Sequence, residues 1–398
     1  MNGSKAFGPI PPEFAGMEAL PWVGEATPVY VYDFAIVAAR IALLRATMPP
    51  QLALHYAIKA NPMPELLAAI APLVDGLDVA SAGEMGRALS VKPADAISFA
   101  GPGKRDAELE AAIRAGVTLH LESEGEGARA LALGDRIGGA PRLAVRVNPD
   151  YELRGSGMKM GGRPSPFGLD AARVPALVKR IVAAGADWRG FHIFAGSQSL
   201  DTAAIMETQA ATLALADRLA GESDVKPPLV NIGGGFGIPY FPGDAPIDTA
   251  AIGEALGREI ARYDMPVAIE LGRFLVGEAG VYLARVVDRK DSQSETFLVV
   301  DGGLNHHLAA TGNFGTVVKR NYPVAVAHRM QDPAEEIVTI VGPLCTPLDR
   351  LADKVALPRA EVGDVIAIFT SGAYGASASP SGFLGHAPVR EILVNRPR

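Results

Sequence analysis

Lys59, His192, Ser197, Gly233 to Gly235, Glu270 and Arg273 each stand within or just past a short apolar run. Together they offer an amine, an imidazole, a hydroxyl, a glycine-rich turn, a carboxylate and a guanidinium. The amine lies in HYAIKANP (55–62), an apolar context in which desolvation lowers an ammonium pKa and makes the free amine nucleophilic toward an aldehyde. Gly233, Gly234 and Gly235 have no side chains, so their N–H groups can approach a phosphate closely, aided by any helix N-terminus beyond them. Arg273 can add a bidentate grip on the same phosphate. Singly these features are ordinary, since a glycine run is often a plain turn and a strand-end lysine a snorkelling side chain. Their recurrence on successive runs points to one site.

The elements that must position them show as an alternation between about residues 50 and 272. Eight short apolar or β-branched runs, LALHYAI (52–58), GLDVA (76–80), AISFA (96–100), VTLHLE (117–122), RLAVRVN (142–148), GFHIFA (190–195), LVNIG (229–233) and VAIEL (267–271), are separated by Ala/Leu-rich segments of helical period. Eight strands in that length predict a closed (β/α)8 barrel of the TIM type, with helices such as PELLAAIAPLV outside and reactive groups at the C-terminal strand ends. After about Gly277 the runs GVYLARVVDRK, TFLVVDGG, PVAVAHR, EIVTIVG, DVIAIFT and REILVN follow without helices and predict an all-β domain. The expected division is a barrel over 34–277 and a β domain over 278–398, joined by TPVYVYD (27–33) from the segment 1–33. The Gly/Ser/Pro-rich insertion 150–168 is too polar for core and predicts a mobile loop or lid.

An amine, a phosphate cradle and a carboxylate on one rim suit pyridoxal 5'-phosphate: Schiff base to the aldehyde, grip on the phosphate, acid to the ring nitrogen. Glu270 would keep that nitrogen protonated and the ring a strong electron sink for the carbanion left as carbon dioxide departs. His192 would pack flat on the ring. The composition narrows the partners. A formal charge of -7, from 37 Lys+Arg against 44 Asp+Glu, gives no basic field for nucleic acid, and no run is long and apolar enough for a membrane span. One cysteine, Cys345, excludes an intramolecular disulfide framework and a multi-cysteine metal site. A cytoplasmic location without a metal is the expectation.

The motifs HYAIKANP, DVASAGE (78–84), HIFAGSQ (192–198), GGGFG (233–237), ELGR (270–273), GPLCTPLD (342–349) and GAYG (372–375) span nearly the whole chain. In this order they resemble the fold type III pyridoxal-phosphate decarboxylases, the family of ornithine/arginine and diaminopimelate decarboxylases. The resemblance implies an alanine-racemase-like barrel with a C-terminal β domain. It implies Lys59 as the Schiff-base lysine, His192 stacked on the ring and Glu270 on the pyridine nitrogen. Ser197, Gly233 to Gly235, Gly272, Arg273 and Tyr374 would surround the cofactor, with Asp78 and Glu84 near it. Cys345 would reprotonate the α-carbon from the β domain of a second subunit, in a homodimer with shared sites, and Asp349 and Thr346 of the same loop would lie by the substrate. The wording FHIFAGSQ, GGGFGIPYFPG and IELGR is similar to a bacterial subgroup associated with exosortase and exopolysaccharide gene clusters. Relatives that act on an amino acid carried by an acyl carrier protein are also similar.

Two departures bear on substrate. Diamine-forming members place an acidic residue after the loop cysteine, where this chain has Thr346. Diaminopimelate enzymes have an Arg-Pro-containing stretch where it has DGGLNHHLAATGNFG (301–315). Asp349 or Arg320 could substitute, so a basic amino acid stays open, as does a free or carrier-bound substrate. His306 and His307, adjacent on an expected loop, are not taken as metal ligands. The rival readings are an amino-acid racemase, whose relatives put an arginine on the pyridine nitrogen where this chain has Glu270, a non-catalytic binding protein like the antizyme inhibitors, and a cofactor-carrying single-domain barrel.

Overall fold

The computed structural model describes residues 3–15, 20–151, 158–159, 164–312 and 320–396, and the expected lid lies largely outside them. The chain divides into two compact units, one of Ala38–Gly237 with Pro246–Gly272, the other of Met1–Val37, Ile238–Ala245 and Arg273–Arg398. Strand β1 (Val29–Asp33) belongs to the second unit.

The first unit is built on β2 (Ala53–Ala57), β3 (Gly76–Val79), β4 (Ile97–Phe99), β5 (Thr118–Leu121), β6 (Arg142–Asn148), β7 (Asp187–Ile193), β8 (Val230–Asn231) and β9 (Val267–Leu271). These eight are parallel and neighbour one another in sequence order, and β9 pairs back onto β2 with Glu270 opposite His55, closing a barrel. Covered on both faces, they are apolar almost throughout, as in the fully buried ISF, TLHL and VAIEL. The intervening helices turn one stripe inward. Helix Val174–Ala183 buries Val174, Leu177, Val178 and Ile181, the spacing of one helical face, and each such side chain contributes roughly 1.5–3 kcal/mol. At Gly190 the φ is +107°, and a Cβ would stand 1.8 Å from the Leu229 carbonyl oxygen. Any side chain there would push β7 away from β8, which carries the next part of the site.

The second unit is a sheet of β10 (Gly280–Ser292), β11 (Glu295–Val300), β12 (Val324–Val326), β13 (Glu336–Val341), β14 (Arg350–Leu357) and β15 (Val365–Ile368), ordered β12-β15-β10-β11-β13-β14. β1 pairs antiparallel with β10 and parallel with β16 (Arg390–Val394). TPVYVYD thus joins the β unit although it precedes the barrel in sequence. Strand β14 was not expected from the sequence. Its RLADKVAL carries Asp353 and Lys354, types depleted in strands. Ion pairs of Asp353 with Lys5 and Arg350 offset the burial of that carboxylate.

His306 and His307 lie on the loop after β11, as expected, and are buried there. His307 Nε2 lies 2.8 Å from Ser371 Oγ, and burial lowers its pKa from 6.5 to about 3. Between those values the unfolded chain binds a proton at this residue that the folded chain does not. Stability is therefore present above pH 6.5 and lost as pH falls, by at most about 1.4 kcal/mol per pH unit from this group. Melting curves from pH 7 to 5 should fall less steeply for His307→Gln than for the wild type, and equal slopes would contradict this assignment. Among the described residues no helix is long and apolar enough to cross a membrane, and no group of three or more His, Cys, Asp or Glu is placed to hold a metal ion.

Candidate active site

Strand β2 runs into a single 3-10 turn, Ile58–Ala60, which buries Ile58 and Ala60 and turns Lys59 outward. Lys59 is exposed, so the desolvation expected from its apolar neighbours is absent. The turn directs those neighbours inward and the amine out. Its Nζ stands 5.9 Å from the Phe194 ring centre, where β7 ends.

Glu270 of β9 and His192 of β7 are both buried, and His192 Nε2 lies 3.1 Å from Glu270 Oε2. Asn231 of β8 donates from Nδ2 to the same oxygen at 3.2 Å. Burial alone would raise the carboxyl pKa. His192 overrides it, helped by the positive charges of Lys59 and Arg146, and Glu270 is held well below the usual carboxylate range. On its other side His192 Nδ1 meets Nδ1 of His120 at 3.0 Å. His120, Asn231 and Arg146 were missed by sequence reasoning. All three lie inside strand runs, and a polar side chain at a fully buried strand position was the available signal.

The glycine run meets three backbone demands. Gly233 and Gly235 have φ of +69° and +82°, and a Cβ on Gly234 would stand 2.0 Å from the Glu270 carbonyl oxygen. The Gly233 N–H already donates to Asn231 Oδ1 at 2.9 Å, tying the turn to the residue that holds Glu270. No helix continues directly from the run, and the next one is Thr249–Tyr263. Ser197 Oγ is buried with no hydrogen-bond partner among the described residues. Gly272 lets the end of β9 pass Ala60, whose Cβ would be 2.9 Å from an added one. Asp78 Oδ1 accepts from Ser98 Oγ and lies 3.4 Å from His55 Nδ1, whereas its Oδ2 is buried without a hydrogen-bond partner among the described residues. Ser81 and Glu84 serve the chain itself. Ser81 Oγ caps helix Ala82–Leu89, and Glu84 accepts the Ala80 amide at 2.7 Å.

In the β unit, Arg273 Nη1 donates to Tyr240 Oη at 2.8 Å, and its guanidinium lies 4.8 Å from the Tyr374 ring centre. Burial works against its charge, but the Tyr240 and Tyr374 oxygens raise its pKa, so it stays cationic. Tyr374 holds a φ of 54°, unusual for a side-chain-bearing residue. Tyr240, in GIPYFPG, was not singled out from the sequence. Cys345 is exposed on the loop between β13 and β14, with Thr346 half-buried beside it. Asp349, expected beside a substrate, is instead buried, and its two oxygens accept the amides of Leu304 at 2.6 Å and Leu344 at 2.8 Å. It pins the cysteine loop. Arg320 is exposed against the Phe241 ring.

The residues present fit pyridoxal 5'-phosphate: an outward amine, an ionised buried carboxylate, a glycine turn that tolerates no Cβ, and an orphaned hydroxyl at Ser197. Residues 35–277 match the family model of the pyridoxal-dependent decarboxylase pyridoxal-binding domain. An L-glutamyl-[BtrI acyl-carrier protein] decarboxylase of Niallia circulans is 35% identical over 92% of this chain and 88% of its own length. A diaminopimelate decarboxylase of Archaeoglobus fulgidus is 32% identical over 94% and 88%. The structure of Helicobacter pylori diaminopimelate decarboxylase complexed with L-lysine superposes with a TM-score of 0.84 at 26% identity, covering 94% of this chain and 93% of that one. The likeness to these relatives runs along nearly the full chain, which belongs to the pyridoxal-dependent decarboxylase family.

Proposed function

We propose that this chain removes the α-carboxylate of an amino acid, and the observation that best supports it is the buried, ionised Glu270 on the barrel that bears Lys59. When bound, pyridoxal 5'-phosphate supplies an electron-accepting ring that takes up the pair released with carbon dioxide. Lys59 supplies the amine that holds the cofactor and yields it to the substrate. Glu270 keeps a proton on the ring nitrogen, which separates this site from racemases that place an arginine there. His192 orients the ring. The amides of Gly234 and Gly235, with Ser197, Arg273 and Tyr374, bind the phosphate, and Asp78 lies near the ring.

Cys345 delivers a proton to the α-carbon from the partner subunit of a cytoplasmic homodimer, and Asp349 shapes its loop. The uncharged Thr346 after Cys345 and the 35% identity to a carrier-protein glutamyl decarboxylase favour a carrier-bound amino acid over a free basic one. The wording FHIFAGSQ and GGGFGIPYFPG supports placement in the exosortase- and exopolysaccharide-associated subgroup. Carbon-dioxide release measured across free amino acids and aminoacyl carrier proteins tests the reading. Release from none of them would defeat it, and release from free lysine, ornithine or diaminopimelate alone would defeat the carrier-bound form.

Shared sites have an arithmetic consequence. Lys59→Ala and Cys345→Ala are each expected to be severely impaired as homodimers. With equal mixing and random reassociation, half the dimers are hybrids and each has one intact site, so activity should return to about a quarter of wild type. No recovery despite exchange proven by tagged-subunit pull-down would place Cys345 in its own subunit's site or outside it.

A further inference from the structure

Inside the barrel lies a cavity of about 220 Å³ that opens between Asp75, Asp95 and Arg189 at the N-terminal ends of the strands, opposite the rim that bears Lys59. Asp75 and Asp95 are exposed, and the cavity reaches inward to the buried His120 and Asn231 and to the nearly buried His55. A space of that size and polarity accommodates several waters.

His120 lines this cavity and also touches the cofactor-binding groups. Its Nδ1 lies 3.0 Å from Nδ1 of His192, with the ring centres 4.7 Å apart. Two ring nitrogens at that distance share one proton between them. The other nitrogen of His192, Nε2, makes no aligned hydrogen bond but lies 3.1 Å from the ionised Glu270, whose negative charge favours the proton on that nitrogen. A neutral His192 thus accepts from the Nδ1–H of His120, which leaves Nε2 of His120 as an acceptor for water.

We propose that His120 is a positioning residue that relays protons from the floor cavity to His192. It takes a proton at Nε2 from the cavity water, which is replenished from bulk solvent at the mouth, and passes its Nδ1 proton to Nδ1 of His192; the same two transfers in reverse return the proton to solvent and restore the starting tautomer. The charge on the imidazole beside Glu270 is thereby set from the face of the barrel opposite Lys59. The surrounding groups keep the proton moving. Burial, His192, Lys104 and Arg146 all disfavour charge on His120, against Glu270 alone on the other side. Lys104 donates to the His120 carbonyl at 3.0 Å. Across the cavity His55 is paired with Asp78, and at the mouth stand Asp75, Asp95 and Arg189.

The inference rests on the proposed role of His192 and Glu270 at the cofactor, and its test does not depend on turnover. The full chain, with 15N-labelled histidine, is followed by NMR with and without pyridoxal phosphate. His120→Phe removes the acceptor for a charged His192, so the His192 titration midpoint should fall by about one pH unit. In His120→Gln the amide oxygen accepts that hydrogen bond and restores the midpoint, but an amide cannot pass the proton on. Exchange of the His192 ring proton with solvent should therefore slow at least tenfold in both variants, by about the factor a lost relay costs. An unchanged midpoint in His120→Phe, or wild-type exchange in His120→Gln, would overturn the relay. His120→Gln alone decides the matter if His120→Phe does not fold. Absence of carbon-dioxide release would defeat the decarboxylase reading and leave these resonances as expected.

Discussion

Lys59→Ala is expected to abolish covalent attachment of pyridoxal phosphate and to lower decarboxylation by about a thousandfold or more. The fold should be nearly indifferent. Lys59 is exposed and its buried neighbours Ile58 and Ala60 are untouched, so truncation opens no cavity and stability should stay within about 0.5 kcal/mol of wild type. The purified wild type should be yellow, and borohydride reduction followed by peptide mass spectrometry should place the label on Lys59. Label on any other lysine would refute the assignment. The competing binding-protein reading makes the opposite statement, namely a colourless protein with nothing to trap.

Glu270→Gln is expected to lower turnover by about 10²–10⁴-fold, the usual contribution of a positioned acid or base, while changing cofactor affinity far less. The substitution keeps shape and hydrogen-bonding capacity beside Asn231 and His192 but removes the charge that holds a proton on the ring nitrogen. The phosphate groups, Gly234, Gly235 and Ser197, are unaltered. Because His192 and its neighbours hold Glu270 below the usual carboxylate range, the wild type should show no loss of activity from its protonation between pH 5 and 8. Stopped-flow turnover of the cofactor-loaded variant measures the effect. A variant that merely loses cofactor, and turns over normally once reloaded, would mean that Glu270 acts in binding alone.

Much of this was legible in the chain. All eight barrel runs coincide with strands, because strands covered on both faces must be apolar along their whole length and so stand out from helices of 3.6-residue period. The β unit was legible from its extended apolar runs without intervening helices, except at β14, where ion pairs rather than apolar side chains satisfy the burial of Asp353. Lys59, Glu270, His192 and the glycine run declared themselves by type and by place at strand ends.

What the linear order determined, then, was the set of reactive groups and the barrel that bears them, since local periodicity and residue type are properties of short segments. Which groups touch was decided only by the closed barrel. His120 and His192 are 72 positions apart, and Asn231 and Glu270 are 39 apart. They meet because parallel strands bring the same depth of the barrel together, a register that hydrogen bonding between strands sets and no single segment contains. Burial was equally a tertiary matter. The amine at Lys59 faces outward and the carboxylate at Asp349 inward, the reverse of what their local sequences suggested. A turn's direction and a loop's anchoring depend on the whole packed unit.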